Sequence, residues 1–396
     1  MNNQQILLLI EGTYPWYRGG VSEWVHQYLS YFNDLTFNIV QVATDQYLNA
    51  ELDDALYQMP DHVDSFLRIP PPDLTKDWIK EAQGWKNKYL DEVSSAVKTA
   101  DFIHIANTGF AGWLGKELSM EFQKPLMLTE HALYWKEVEM GAAALECGYK
   151  VPQQKHRQQQ FVNMFRSTAE EIYRHSDAII SVSECNIPEQ KKLGAQDVTY
   201  IPNGIPKSWL TTTVDRTKES LTVGWIGRCA QMKNPLKFFK VIEAFNQQAE
   251  REVQFLMLCC DANEPELAEK VQRKSKKFPS LTLVWNRSTD EFIDQMDALC
   301  ITSHNESQPL VLFEALARRV LPIGWEAGDV TSKYGLIYNK GKSPKYMASS
   351  VLKLYNNPPK WDTMLDQKTS FLADKHTWKC IFEQYRDVFN SLLKPA

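Results

Sequence analysis

The sequence predicts an α/β chain of two Rossmann-like domains in tandem, each a parallel sheet covered by helices on both faces. Three observations carry this. Short apolar runs bounded by turn residues recur throughout; segments of helical period separate them; and a stretch with two prolines and a glycine, IPNGIPKSW at 201–209, breaks the alternation near the midpoint. Runs that are apolar on both faces suit strands covered on both sides, and strand–helix–strand alternation implies parallel pairing. A chain of 396 residues with 43% hydrophobic and 12% aromatic content can bury a large core, and its length favours two domains over one.

Taken in order, the front strands are expected at residues 6–10, 37–42, 102–105, 126–129, 178–182 and 198–201. The stretch EGTYPWYRGGVSEWVHQ (11–27) leaves the first of them through a loop with aromatics, an arginine and the Gly19-Gly20 pair. It then enters an amphipathic helix over 21–32, with Ser22 as N-cap. Glycine tolerates positive φ, so the pair reads first as a turn device. After the hinge, strands are expected at 222–226, 254–259, 281–284, 298–301, 321–323 and 335–337, with helices over 236–250 and 291–296. The tail repeats Trp378, Ile381, Phe382, Tyr385, Phe389 and Leu392 at helical spacing, an apolar stripe that must dock on another surface. The expected domains are 1–205 and 206–375, followed by a terminal helix at 376–396. In sheets wound this way ligands gather beyond the carboxyl ends of the strands, so a site is expected in a cleft between the domains.

Composition excludes several classes. The net charge is −5 and no dense Lys/Arg tract occurs, which argues against a nucleic-acid partner. Of the 44 basic and 49 acidic residues, 17 and 27 precede Ile205, so the rear half is net basic and suits an anionic ligand. The 7 cysteines form no CxxC pair and no secretory signal opens the chain, which fits a reducing cytosol. No run of about eighteen apolar residues exists to span a bilayer. A cytoplasmic protein is expected, at most peripheral on the inner face of the plasma membrane. The basic stretch YKVPQQKHRQQQFVNMFRS (149–167), with Lys150, Lys155, His156, Arg157 and Arg166, reads either as a face for anionic lipid or acceptor or as a solvated helical face. The GKS of NKGKSP lacks the glycine spacing of a Walker loop and no GxGxxG follows a strand, so neither ATP hydrolysis nor nicotinamide binding is expected.

Three clusters stand at expected strand ends. TVGWIGRCAQMKN (222–234) sets Gly227-Arg228 after an apolar strand and Lys233 near the start of a helix at Pro235. Arginine grips phosphate oxygens in a fork, lysine adds a point charge, and a helix N-terminus adds oriented N–H donors; the same Gly-Arg pair also makes an ordinary surface turn. NESQPLVLFEALARR (305–319) places Glu306 in a turn and Glu314 inside a helix that begins near Gln308 or Pro309 and has almost no polar face. A carboxylate buried there needs donors, which a vicinal diol would supply, as would neighbouring backbone or Arg318. PLMLTEHALYW (125–135) puts Glu130-His131 at the end of a front strand, where a histidine either stays structural or bonds sugar hydroxyls.

Glu306 and Glu314, Gly227-Arg228 with Lys233, the IPNG hinge and the early Gly19-Gly20 pair together resemble the retaining glycosyltransferases of family 4, which have the GT-B fold. EGTYPWYRGGVSEWVHQ, NTGFAGWLG, LTEHALYW and ESQPLVLFEALA bring the resemblance nearest to the PelF-like glycosyltransferases of Pel exopolysaccharide synthesis, from about residue 6 to residue 317. The resemblance implies two parallel sheets facing across a central cleft and a C-terminal helix crossing back to the first domain. It implies that Arg228 and Lys233 hold the donor diphosphate and Glu314 the ribose hydroxyls. Glu306 and the Gln308-Pro309-Leu310 segment would contact the transferred sugar, His131 would reach that sugar from the front domain, and Gly19-Gly20 would bring backbone amides close to phosphate or acceptor. Three departures stand out: Ser307 occupies a position where many members have glycine, Arg318-Arg319 replaces a small-residue turn, and GWEAGDVTSKYG (324–335) lacks paired glycines.

The implied reaction is metal-independent transfer, with retention, of a sugar from a nucleoside diphosphate sugar, UDP-glucose or another UDP-hexose, to a glycan, polysaccharide or lipid-linked acceptor. No cofactor is expected beyond that co-substrate, and the Asp-x-Asp triplet of metal-dependent transferases does not occur in the chain. Peripheral association with a membrane or a polysaccharide synthase goes with this reading. Two others stay open: a GT-B nucleotide-sugar epimerase, and a non-catalytic nucleotide-sugar-binding scaffold of polysaccharide assembly.

Overall fold

A computed structural model describes residues 4–394, apart from 18, 74–77, 143–144, 146, 211–219 and 263. The chain divides into one unit made of Met1–Pro202 with Phe382–Ala396, and another made of Asn203–Ile381.

In the first unit β1 (Gln5–Glu11), β2 (Thr36–Val42), β3 (Val63–Ile69), β4 (Phe102–Ala106), β5 (Leu126–Glu130), β6 (Ala178–Ser181) and β7 (Val198–Tyr200) form a 7-stranded sheet in the order β3-β2-β1-β4-β5-β6-β7. Every pairing is parallel. β1 lies inside the sheet, which is why its run of Ile6 to Ile10 is fully buried. Alternation sends Leu7 and Leu9 into the core that contains Leu114 and Leu118 of the helix Phe110–Phe122, while Ile6, Leu8 and Ile10 point the other way. β3 escaped the sequence reading because it is an edge strand: VDSFLRI is half exposed and carries charge, which edge strands tolerate and apolar-run searches pass over.

The helix after β1 spans Gly20–Tyr31, so it starts ahead of the expected Ser22. Gly19 is its N-cap with φ −163°, extended backbone open to any residue, and a Cβ on Gly20 would meet nothing within 4 Å. The turn-device reading of the pair is therefore corrected. Ser22 does not cap; its Oγ lies 3.1 Å from Thr13 Oγ1 inside the loop.

The second unit holds β8 (Thr222–Arg228), β9 (Gln254–Cys260), β10 (Leu281–Trp285), β11 (Ala298–Ile301), β12 (Leu321–Trp325) and β13 (Leu336–Tyr338) in a 6-stranded parallel sheet ordered β10-β9-β8-β11-β12-β13. The helix expected over 291–296 is instead two short 3₁₀ turns, Thr289–Glu291 and Ile293–Gln295. Ser288 and Glu291 form a capping box that closes the first turn at once, and β11 follows too soon for a full helix.

The helix Trp378–Leu392 returns the chain to the first unit. Its apolar stripe docks on an aromatic cluster centred on Tyr28, whose ring meets those of Phe382, Tyr385 and Phe389, and Phe389 also packs on Phe32 and Phe102. Arg386 closes the contact by donating to both oxygens of Asp34, at 2.9 and 2.8 Å. Beneath this cluster His104 bonds Tyr28 Oη through Nδ1 and Thr129 Oγ1 through Nε2, and burial, with His131 adding repulsion, pushes its pKa down to about 3. Glu130, at the end of β5, accepts from Thr108 Oγ1 at 2.7 Å, Tyr173 Oη at 2.5 Å and Gln190 Nε2 at 2.6 Å. Burial still lifts its carboxyl to about 7.

Replacing Phe389 by Ala is expected to lower the unfolding free energy of the first unit by about 3–5 kcal/mol in urea, whereas the exposed Ser391→Ala should shift it by less than about 0.5 kcal/mol. Because Glu130 is raised above its unfolded value, its stabilising share is full below about pH 4.5 and is lost as pH rises through about 7. Glu130→Gln should flatten the decline of melting temperature across that window, leaving only the share carried by other groups; an unchanged slope would show that Glu130 titrates normally.

Candidate functional site

The second unit builds its site where β8 and β11 end. β8 terminates at Arg228, which is half-buried and paired in register with Cys260 of β9. The chain then bends: Cys229 N donates to Cys260 O at 2.7 Å, Gln231–Lys233 forms a 3₁₀ turn, and Asn234 takes left-handed backbone with φ 50° before the helix Pro235–Asn246. Asparagine accepts that conformation more readily than most residues, which explains its place there. The segment after β11 grips this bend. Thr302 Oγ1 donates to Lys233 O and receives Trp225 Nε1, both at 2.8 Å, and His304 N donates to Met232 O at 2.8 Å. The two turns are thereby fixed against each other, and Lys233 Nζ sits 2.7 Å from each oxygen of Glu306. Ser303 Oγ adds a donor to Glu306 Oε1 at 2.6 Å. Glu306 is 8% exposed, so these donors meet the demand of a carboxylate taken out of water.

Gly328 closes the other side of the Glu306 turn. Its φ is +57° and an added Cβ would stand 1.8 Å from Glu306 O, while Asp329 N donates to that same oxygen at 3.2 Å. A single glycine here meets the need for close approach. The helix that follows spans Leu310–Ala317, with Pro309 as N-cap, one position before the first turn where it was expected. Gln308 is held from behind, its side-chain oxygen accepting Asn203 N of the IPNG stretch. Glu314 is only half-buried, which corrects the expectation of a helix without a polar face. Arg318 stacks on Trp209 at 5.1 Å and lies 3.5 Å from Asp294, and Arg319, with φ 56°, donates to Asp366 at 2.7 Å. This Arg-Arg departure ties the helix into its own unit.

Sequence reasoning missed the cations around this site. Lys237, in the first turn of the helix Pro235–Asn246, covers Trp325 with its ammonium 3.4 Å from the ring centroid; burial, with Lys340 and Lys240 nearby, lowers its pKa. His304 is lowered too, by burial and then by Lys340 and Lys237. The KNPLK run at the start of that helix was the available signal.

His131, Gly19 and Gly20 belong to the first unit, whereas Arg228, Lys233, Glu306, Gln308, Pro309, Leu310 and Glu314 belong to the second. His131 N and Ala132 N both donate to Asn107 Oδ1, at 2.7 and 3.2 Å, and the imidazole meets the edge of Trp24 at 4.8 Å. Arg18 lies outside the described residues. In the basic stretch, Lys155, His156 and Arg157 are exposed at the start of the helix Lys155–His175, and Arg166 stacks over Trp135 at 5.4 Å. Among the described residues no group of three or more His, Cys, Asp or Glu side chains is placed to hold a metal ion, and no helix is long and apolar enough to cross a membrane.

Residues 4–90 and 85–198 match DUF3492, a domain of unknown function, and residues 220–357 match the glycosyl transferases group 1 family. No curated protein is significantly similar in sequence. Among solved structures, sucrose-phosphate synthase from Thermosynechococcus elongatus superposes with a TM-score of 0.75 at 15% identity, over 98% of this chain and 99% of that one. HepE of Anabaena, in complex with UDP-glucose, gives 0.71 at 15% identity over 98% and 99%. The catalytic domain of starch synthase IV from Arabidopsis thaliana, bound to ADP and acarbose, gives 0.65 at 14% identity over 99% and 100%. The chain has the two-domain GT-B fold, and its second unit matches the group 1 glycosyl transferases.

Proposed function

We propose that this chain is a retaining, metal-independent glycosyltransferase of family 4 that moves a hexose from a UDP-sugar to a glycan, polysaccharide or lipid-linked acceptor in exopolysaccharide synthesis. The observation that carries the reading is the fixed Lys233–Glu306 pair at the carboxyl ends of β8 and β11, with the helix Leu310–Ala317 starting from the same turn. The group 1 match over residues 220–357 supports it, as do the nucleotide ligands of the neighbours: UDP-glucose in HepE and ADP in starch synthase IV.

Breaking the anomeric C–O bond leaves growing negative charge on the departing diphosphate, so catalysis rests on charge stabilisation and on positioning the acceptor. Lys233 is a pre-aimed cation held on Glu306, ready to share its protons with a phosphate oxygen. Arg228 supplies a fork of N–H donors from the end of β8, and the first amides of the helix Leu310–Ala317 have no partner within the helix. Glu306 then faces the transferred sugar, Glu314 takes the ribose diol, and His131 with the Gly19-Gly20 loop serves the sugar or acceptor from the first unit. The acceptor hydroxyl attacks on the face the leaving group departs from, so configuration is kept. Association with a membrane or a polysaccharide synthase is peripheral in this reading, and the location is cytoplasmic.

UDP species are expected to raise the melting temperature while GDP and ADP species do not, and chelation should leave the transfer rate unchanged. Arg228→Ala or Lys233→Ala should lower kcat/KM about ten- to hundredfold, the worth of one charged hydrogen bond; wild-type turnover in both would remove the phosphate assignment. Lys233→Met strands Glu306 without its cation, so it should destabilise the second unit more than the double change Lys233→Met with Glu306→Gln does.

A further inference from the structure

Charge is divided unevenly along the chain: 17 basic and 27 acidic residues precede Ile205, against 27 basic and 22 acidic from there on. Two stretches show the contrast most sharply. Residues 19–67 contain no Lys or Arg, and residues 339–361 contain no Asp or Glu.

In the second unit the loop after β13 builds a basic face. Trp325 Nε1 donates to Lys342 O at 2.7 Å, Lys342 N donates to Asn339 O at 3.1 Å, and Ser343 caps the helix Pro344–Tyr355 by accepting Tyr346 N at 3.2 Å. Gln248 Nε2 donates to Lys345 O at 3.0 Å and ties the face to the end of the helix Pro235–Asn246, which packs alongside. On this fixed backbone Lys340, Lys342 and Lys345 are exposed, as is Lys240 of the neighbouring helix, and among the described residues none of the four meets a carboxylate. Tyr346 stands among them, 46% exposed, with its ring 4.3 Å from Lys342 Nζ and edge-on to Tyr338.

The first unit presents the counterpart around the 3₁₀ turn Leu52–Asp54. Trp16 Nε1 donates to Glu51 O at 2.8 Å, Arg68 Nη1 donates to Ala50 O at 2.6 Å, and Leu56 N and Tyr57 N both donate to Pro15 O, at 3.0 and 3.1 Å. The backbone of this lobe is thus held from behind. To water it shows Glu51, Asp53 and Asp54, none of which meets a cation among the described residues, together with Leu52 and Leu56, 43% and 46% exposed. Three of the five exposed large hydrophobic side chains among the described residues therefore lie in these two patches of single sign.

A solvated face mixes its signs and scatters its apolar groups, whereas apolar side chains rimmed by charge have the anatomy of an interface. The two rims here are opposite. Leucines set against a tyrosine bury area without burying charge, and lysine and carboxylate heads then meet at the wetter edge, where they steer the encounter. An anionic lipid surface would satisfy the lysines but leave the acidic lobe and its leucines uncovered; a second copy of the chain covers both.

We propose that the protein associates head to tail, with the acidic lobe 51–56 of one copy seated on the lysine and tyrosine face 340–346 of the next. Because the two patches differ, the contact is heterologous, and each added copy brings a free patch of each kind. The inference stands apart from the transferase reading, since neither patch includes a residue assigned to the donor.

Sedimentation of the full chain tests it. The weight-average mass should rise with protein concentration at about 0.05 M salt and fall to that of the monomer at about 0.5 M, where exposed charges are screened. Asp53→Lys with Asp54→Lys, and separately Lys342→Glu with Lys345→Glu, should each weaken self-association at least about tenfold, because each sets like charges against one another. Mixing the two double variants places opposite charges at both contacts again and should restore association. All four side chains are exposed, so the melting temperature of each variant should match that of the wild type. A wild type that stays monomeric at low salt, either variant alone associating as the wild type does, or a mixture that stays monomeric overturns the proposal. Binding to phosphatidylglycerol vesicles without any self-association overturns it as well.

Discussion

Glu306 is a carboxylate taken out of water at the end of a strand, and the second unit is arranged around that fact. An ion of this kind costs several kcal/mol unless donors surround it. Lys233 and Ser303 supply them, but only because Thr302, Trp225 and His304 lock the turn after β8 to the turn after β11. The lock fixes the turn that carries Lys233 against the turn that carries Glu306. Gly328 belongs to the same arrangement, since the chain beside Glu306 leaves no room for a side chain.

The first unit repeats the pattern with different partners. Glu11 and Glu130 are buried at the ends of β1 and β5, and both are raised to about 7 by desolvation. Glu130 has three neutral donors and staples β5 to the surrounding chain. Glu11 keeps one oxygen unmatched. Two buried carboxyls with similarly raised pKa values thus differ in how fully they are matched.

Much of the fold was legible because β1, β2, β4 and β5 are buried on both faces and largely apolar, and a run such as ILLLI has no other comfortable place in water. β3 was hidden by its half-exposed edge, and the 3₁₀ turns before β11 by the similarity of short helical patterns. At the site, residue types were readable but pairings were not. Nothing in the chain shows that Lys233 and Glu306 bond one another, because that contact depends on β8 and β11 lying side by side despite their separation in sequence. Glu11 was passed over for a similar reason: an acid after ILLLI looks like the solvated end of a strand until the helix Phe110–Phe122 is placed over it. Only the turn-device reading of the Gly19-Gly20 pair fails, since neither residue uses a conformation denied to others.

The return of the helix Trp378–Leu392 makes the first unit discontinuous in sequence, with all of Asn203–Ile381 inserted between its parts. During synthesis the nascent sheet would wait for its aromatic lid until the whole second unit has left the ribosome, exposing Tyr28, Phe32 and Phe102 in the interval. Completion of the leading half therefore depends on a segment that follows the whole second unit.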